Sequence, residues 1–403
     1  MPTDRVTGWR ATTSGFSSLR VPGSLALGGF ALLAVLGGCS GVRHRPEIAE
    51  RLQAVDPARL ESHVVALTGI GPRPMEDSVA TAATVAYLTE TLGDMGLAVV
   101  EEPVTFRPTT GRFFARVRPK EAGAESEPLE IDLPLWFGGY GARVLAGQSQ
   151  RLRADGYVVL GYAGSGYAFA AEDASVPNLL VTIPGTSGRA GLVEVSAHYD
   201  TVPGSPGADD NSSGVAALLE IARVLAAHPP ERSVRLCFFA GEEADLRGSA
   251  VHIENVLASG EDVVGLLNLD SIGIVSDAPD SQQAPVRIVF VTWMPSTGDF
   301  ITVIGDWDSG PLGNLFETAS DSYVPDLPYY SANRIGGWFA DGRRSDHAHY
   351  WDAGIPAIFL TDTGEFRTDT YHKPGDVAAD LDYAHMERVT RATLASIYEL
   401  TRR

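Results

Sequence analysis

The chain has 403 residues, enough for one large α/β domain with a leader. At 44% hydrophobic and 20% charged, its composition is that of a globular protein and excludes a disordered one. With 51 acidic against 31 basic residues the net charge is −20, which argues against nucleic acid as a partner.

The first segment stands apart from the fold. Arg5, Arg10 and Arg20 precede the apolar run SLALGGFALLAVLGG, which is short and glycine-rich for a spanning helix. The run ends in Leu36-Gly37-Gly38-Cys39-Ser40. This resembles a bacterial lipobox, which implies cleavage after Gly38 and lipid on Cys39. The expected location is therefore the bacterial cell envelope, with the chain anchored in the membrane and facing the periplasm or the exterior. Ser40 rather than Asp after the cysteine favours the outer membrane by the same resemblance. Residues 1 to 38 are expected to be signal peptide and 39 to 58 a polar tether. Residues 59 to 403 are expected to be the main folded domain. The other cysteine, Cys237, sits inside the apolar run VRLCFF and reads as a buried small hydrophobe, so a disulfide framework is excluded.

Two helices, LESHVVALTGI and DSVATAATVAYLTETLGDMG, flank the breaker GPRP, and LAVVEEPVTF follows as a strand. Residues 107 to 176 form an elaboration of uncertain structure, with FFARVRP and GYVVLGYA as its clearest strands. NLLVTIPG and LVEVSAHY are strands joined by a turn. A helix is expected over roughly 212 to 227, started by Asn211 or Ser212 and stopped by Pro229-Pro230. VRLCFFA, VVGLLNLD, VRIVFVTW and IPAIFLTD read as buried strands. The intervening helices fall near 249 to 258, in GPLGNLFETASD and in SDHAHYWDAG, where Ser345 or Asp346 is expected to cap. MERVTRATLASIYELTRR closes the chain as an amphipathic helix. Strands alternating with helices, and apolar on both faces, predict a three-layer α/β/α fold with a mixed, mostly parallel central sheet.

Such sheets place their sites outside the carboxyl ends of the strands. His198 lies at one strand end and Asp200 two residues on, where a carboxylate can take the second N–H of a metal-bound imidazole. Asp209 enters the glycine-rich run PGSPGADDNSSG just before a helix. Glu242 and Glu243 follow the next strand, and adjacent carboxylates are costly to hold together without a cation. Asp270 ends a hydrophobic strand, where an unpaired carboxylate is expensive. His372 comes late, in TYHKPGD. Taken singly, a structural histidine, a helix cap or a solvated acidic turn would explain each piece. His252 and His385 on helices read as surface groups, and Arg343-Arg344 as solvated charge.

Together, SAHYDTVPGSPGADDNSSG, FFAGEEADLRGS, LLNLDSIG, SDHAHYWDAGIPAIFLTDT and TYHKPGD resemble the zinc aminopeptidase family of clan MH, which also holds glutaminyl cyclases and glutamate carboxypeptidases. The resemblance covers roughly residues 60 to 400. It implies two zinc ions bridged by Asp209, one completed by His198 and Asp270 and the other by Glu243 and His372. It makes Glu242 the general base and Tyr371 an assistant to the oxyanion, or else a packed aromatic. It also places a non-proline cis peptide at Asp209-Asp210, and it excludes the His of SDH as a ligand. Two His, two Asp and one Glu are nitrogen and oxygen donors that suit zinc. The implied function is removal of N-terminal residues from peptide substrates through a water activated between two metals. A glutaminyl cyclase with one zinc, a carboxypeptidase and a non-catalytic binding domain are the alternatives. The compact GEEADLRGS and the complete ligand set favour the hydrolase.

Overall fold

The apolar runs become the centre of one sheet. In the computed structural model, the residues described are 42–106, 109–121, 127–133, 152–153, 156–169, 173–284 and 294–403. The signal peptide, Cys39 and the whole of the expected strand VRIVFVTW lie outside them.

Eight strands pair in the order β1 (Val99–Phe106), β5 (Ala174–Ile183), β7 (Ser233–Phe239), β6 (Leu192–His198), β8 (Val263–Leu269), β11 (Ala357–Thr361), β9 (Ile301–Gly305), β10 (Tyr329–Ala332). The β7–β6, β6–β8, β8–β11 and β9–β10 pairings are parallel, and the other three are antiparallel. The sheet is thus mixed and mostly parallel. Its centre carries no alternation: every residue of β6 and β11 is buried.

Helices cover both faces. On one side lie α1 (Pro46–Leu52), α2 (Pro57–Ile70), α3 (Ser78–Asp94), α4 (Gly214–Ala227), α6 (Gly310–Tyr323) and α8 (Tyr383–Thr401). On the other, α5 (Arg247–Ser259) and α7 (His347–Asp352) pack through Ile253, Val256, Tyr350 and Trp351. Within the elaboration, β2 (Thr109–Pro119) pairs antiparallel with both β3 (Leu129–Leu133) and β4 (Tyr157–Phe169) in a separate three-stranded sheet.

Two expectations change here. The supposed tether is part of the fold: Ile48 and Leu52 of α1 and Val55 are fully buried in the main core. Two apolar residues one turn apart suffice to seat a short polar helix. His252 and His385 are not surface groups either, being 1% and 0% exposed.

Candidate metal centre

The parallel strands β6, β7 and β8 all end at one edge of the sheet, and their final residues converge there. His198 is the last residue of β6, Glu242 and Glu243 follow β7, and Asp270 follows β8. Between β6 and α4 the chain makes a tight irregular turn, Ala208–Ser213, that brings in a further carboxylate. His372 arrives from the loop after β11, in a left-handed conformation with φ 58°.

The carboxylate between the two histidines belongs to Asp210, not Asp209. Asp210 Oδ1 is 3.3 Å from His198 Nε2, and its Oδ2 is 3.0 Å from His372 Nε2. His198, Asp210 and Asp270 form one cluster of potential ligands; Asp210, Glu243 and His372 form a second that shares the same residue. His198 Nε2 is 3.6 Å from Asp270 Oδ1, and His372 Nε2 is 3.2 Å from Glu243 Oε2. Asp209 points the other way, where its Oδ1 accepts the N–H of Gly273 at 2.7 Å. Neighbouring residues in a turn project to different sides, so a slip of one position exchanges their roles. The same slip affects the cis peptide, which lies at Asp210-Asn211 and not at Asp209-Asp210. Asp376 fixes the turn by accepting the N–H groups of Asp209 at 2.8 Å and of Asp210 at 3.2 Å.

Surrounding groups orient the cluster. His198 Nδ1 lies 3.2 Å from the main-chain oxygen of Asp200, and only 3.6 Å from its carboxylate. That carboxylate instead accepts the N–H groups of Glu242 and Glu243 at 3.1 and 3.3 Å. The expected pairing of His198 with Asp200 is therefore made mainly through the backbone. Ser345 or Asp346 was expected to cap α7; the Ser345 hydroxyl instead donates to Asp270 Oδ2 at 2.5 Å. It also accepts from Asn268, whose own oxygen accepts from Ser196 at 2.6 Å. Asp346 makes no capping bond either. Sequence reading missed Asn268 and Ser196 because uncharged residues inside a strand look like core.

The electrostatics are those of a cation site. Burial works against the Asp210 charge, yet His198 and His372 hold its carboxyl well below the usual range. Burial would lower His372, but Glu243 and Asp210 raise it to about 10. Burial pushes Glu243 up to about 7, with His372 acting the other way. Glu242 is raised well above the usual range by burial and by Asp270 and Glu243, against the pull of His198. The carboxylates thus stabilise positive charge between them. Among the described residues, His198 Nε2, Asp210 Oδ2 and Glu243 Oε1 are buried with no hydrogen bond. Buried polar atoms normally have partners, and a bound cation would give these theirs. Five nitrogen and oxygen donors without thiolate fit zinc.

The remaining residues fall into place around this centre. The Tyr371 ring stacks on His372 at 3.8 Å and 17°, and its hydroxyl accepts from Arg344 at 3.4 Å. Arg344 is not simply solvated, since it pairs with Glu365. His347 packs between Trp351 and Phe359 and belongs to neither donor cluster. Beside Asp270 and Tyr371 opens a pocket lined mainly by apolar side chains, including Ile304, Tyr330, Phe339, Phe359 and Phe366. A further group, Glu194, Cys237 and His252, has metal-type donors behind the sheet. There Arg235 and Tyr350 bond Glu194, and Glu102 lies 3.2 Å from His252, so charge is balanced within the chain.

The chain is 40% identical to the uncharacterized protein YfbL of Escherichia coli over 223 residues, covering 51% of this chain and 66% of that one. It is 27% identical to aminopeptidase YwaD of Bacillus subtilis over 217 residues, 53% of this chain and 42% of the relative. The chain thus spans between 42% and 66% of the length of these curated relatives. Among solved structures, an aminopeptidase from Aneurinibacillus sp. strain AM-1 superposes with a TM-score of 0.60 at 16% identity, covering 87% of this chain and 95% of that one. The model of peptidase family M28 matches residues 178–397, more than half of the chain and all of the cluster just described. The chain belongs to peptidase family M28.

Proposed function

We propose that the protein is a zinc exopeptidase that removes the N-terminal residue of peptides, and that His198, Asp210, Asp270, Glu243 and His372 would hold two zinc ions, with Asp210 common to both donor sets. The observation that carries this reading is the placement of Asp210, whose two oxygens face His198 and His372 separately. One donor set is then His198, Asp210 and Asp270, and the other is Asp210, Glu243 and His372. Zinc bound there would supply Lewis-acid polarisation of the scissile carbonyl and acidify a water.

The protein's own groups do the rest. Glu242 lies 3.9 Å from His198 Nε2 and belongs to neither donor set. It is placed to take a proton from the attacking water and pass it to the leaving amine. The Tyr371 hydroxyl is available to donate to the developing oxyanion, with Arg344 bonded to its oxygen. The apolar pocket beside Asp270 would receive the side chain of the first residue, which favours bulky apolar side chains over charged ones. Arg344, the cation at the pocket edge, is engaged by Glu365, which disfavours recognition of a substrate carboxylate and so the carboxypeptidase reading.

The test compares leucyl, glutamyl and lysyl p-nitroanilides, their N-acetylated forms and a C-terminal reporter peptide, with and without chelator. The reading expects hydrolysis of leucyl substrate only when its amine is free, lost with chelator and restored by zinc. Cleavage of blocked peptides from the carboxyl end, or cyclisation of glutaminyl peptides without hydrolysis, would contradict it.

We also propose that lipid on Cys39 anchors the chain in the cell envelope; the sequence Leu36-Gly37-Gly38-Cys39 supports this. One lipid chain anchors only marginally, whereas the several chains of a bacterial lipoprotein hold firmly. Full-length protein should fractionate with membranes, and Cys39→Ser should release it or leave the precursor uncleaved. Recovery of a soluble mature form starting elsewhere would contradict the anchor.

A further inference from the structure

Arg73 lies in the breaker between α2 and α3, far in sequence from every proposed ligand, yet it is only 1% exposed. Among the described residues, its guanidinium bonds no carboxylate. Nε donates to the carbonyl of Tyr199 at 3.1 Å. Nη1 donates to Leu67 at 3.0 Å, Gly71 at 3.1 Å and Pro206 at 2.9 Å. Nη2 donates to the carbonyl of Gly207 at 3.3 Å and the hydroxyl of Ser212 at 2.9 Å. The backbone of Arg73 is tied in too: its N–H donates to Thr201 Oγ1 at 2.8 Å, and its carbonyl accepts from Thr201 N–H at 3.2 Å.

Apart from Leu67 and Gly71, which anchor the guanidinium to the end of α2, these acceptors belong to the two arms of the candidate metal cluster. Tyr199 and Thr201 flank Asp200 and follow His198 at the end of β6. Pro206, Gly207 and Ser212 bracket Asp210. We infer that Arg73 is a positioning residue that sets the spacing between His198 and Asp210, and so the affinity of the centre for zinc. The inference rests on the metal-binding reading proposed above.

Two physical points support it. A buried cation without a bonded carboxylate is expensive to keep. Burial lowers its pKa to about 10, while Asp200, Asp376 and Asp210 act through space to retain the charge. The cation therefore belongs to the field of the acidic site rather than to a local ion pair. The packing is also close: Gly207 has φ 62°, and a Cβ there would lie 2.3 Å from Thr201 and 3.2 Å from Arg73 Nη2. The loop bearing Asp210 is thus moulded onto the guanidinium. Lysine cannot reproduce a planar fork that bonds both arms at once.

The test measures zinc affinity of the metal-free full-length chain by competition with a chromogenic chelator, alongside its circular dichroism and melting curve. Arg73→Lys is expected to melt cooperatively when metal-free yet bind zinc about 10–100-fold more weakly, the usual cost of losing a group that orients ligands. A purely structural role would lower the melting temperature and leave the affinity of the folded protein unchanged. A folded Arg73→Lys with wild-type zinc affinity therefore overturns the inference. If that variant does not fold, Ser212→Ala decides: a several-fold loss of zinc affinity supports it, and none overturns it. If wild-type protein binds no zinc, the metal reading itself is overturned and this inference falls with it.

Discussion

Asp200 holds the main chain of Glu242: its carboxylate accepts the Glu242 N–H at 3.1 Å. One side chain at the end of β6 thus fixes the turn after β7, where the proposed base and a proposed ligand sit. The same residue steadies His198 through its main-chain oxygen at 3.2 Å.

Asp200→Ala should therefore damage both catalysis and metal retention. Loss of a group that orients ligands typically costs about 10–100-fold in metal affinity or activity. Titrating zinc into the metal-free variant while following hydrolysis would check this. Wild-type zinc affinity and kcat in the folded variant would show that the turn holds itself.

Glu242 and Glu243 are neighbours with different predicted roles. Glu242→Gln should keep its zinc and lose about 10²–10⁴-fold in kcat, the range for a general base. Glu243→Gln should lose zinc, since Glu243 faces His372 at 3.2 Å. Metal content and kcat measured on the same preparations separate the two. Equal zinc loss in both variants would show the roles to be wrongly divided.

One buried histidine, His385, predicts acid lability. His385 is fully buried, and neither ring nitrogen makes a hydrogen bond among the described residues. Burial, helped by Arg388 and Arg367 and opposed by Asp382, lowers its pKa from 6.5 to about 3. The folded state then keeps it neutral where the unfolded chain takes up a proton. Its stabilising contribution is full above pH 6.5 and is lost progressively as the pH falls toward 3. Between pH 7.5 and pH 5 that loss is about 2 kcal/mol. Urea denaturation at the two pH values should show His385→Leu losing about 2 kcal/mol less than wild type. Equal losses in the two proteins would mean that His385 is not held neutral.

Much of the site was legible because its residues end apolar strands. His198, Glu242, Glu243 and Asp270 each follow a hydrophobic run, so their place at one sheet edge follows from the strand assignments. Asp209 and Asp210 could not be told apart in the same way. Both lie in one turn, and only backbone geometry decides which carboxylate faces the imidazoles. Arg73 left no signal, because a lone arginine beside two prolines reads as surface loop. α1 was missed since its seven residues carry little apolar content beyond Ile48 and Leu52. Ser345 and Asp346 look like helix caps by position, and only the approach of β8 turns Ser345 toward Asp270.

The most direct test of the proposed two-zinc centre is the zinc content of purified wild type, Asp210→Asn and Asp209→Asn. The account predicts close to two equivalents in wild type and loss of zinc and hydrolysis together in Asp210→Asn. Asp209→Asn should keep both, because burial with Asp362 and Asp376 already pushes that carboxyl well up, and a neutral amide can stand in for it. One equivalent with full activity in wild type, or two equivalents retained in Asp210→Asn, would contradict the bridging role of Asp210.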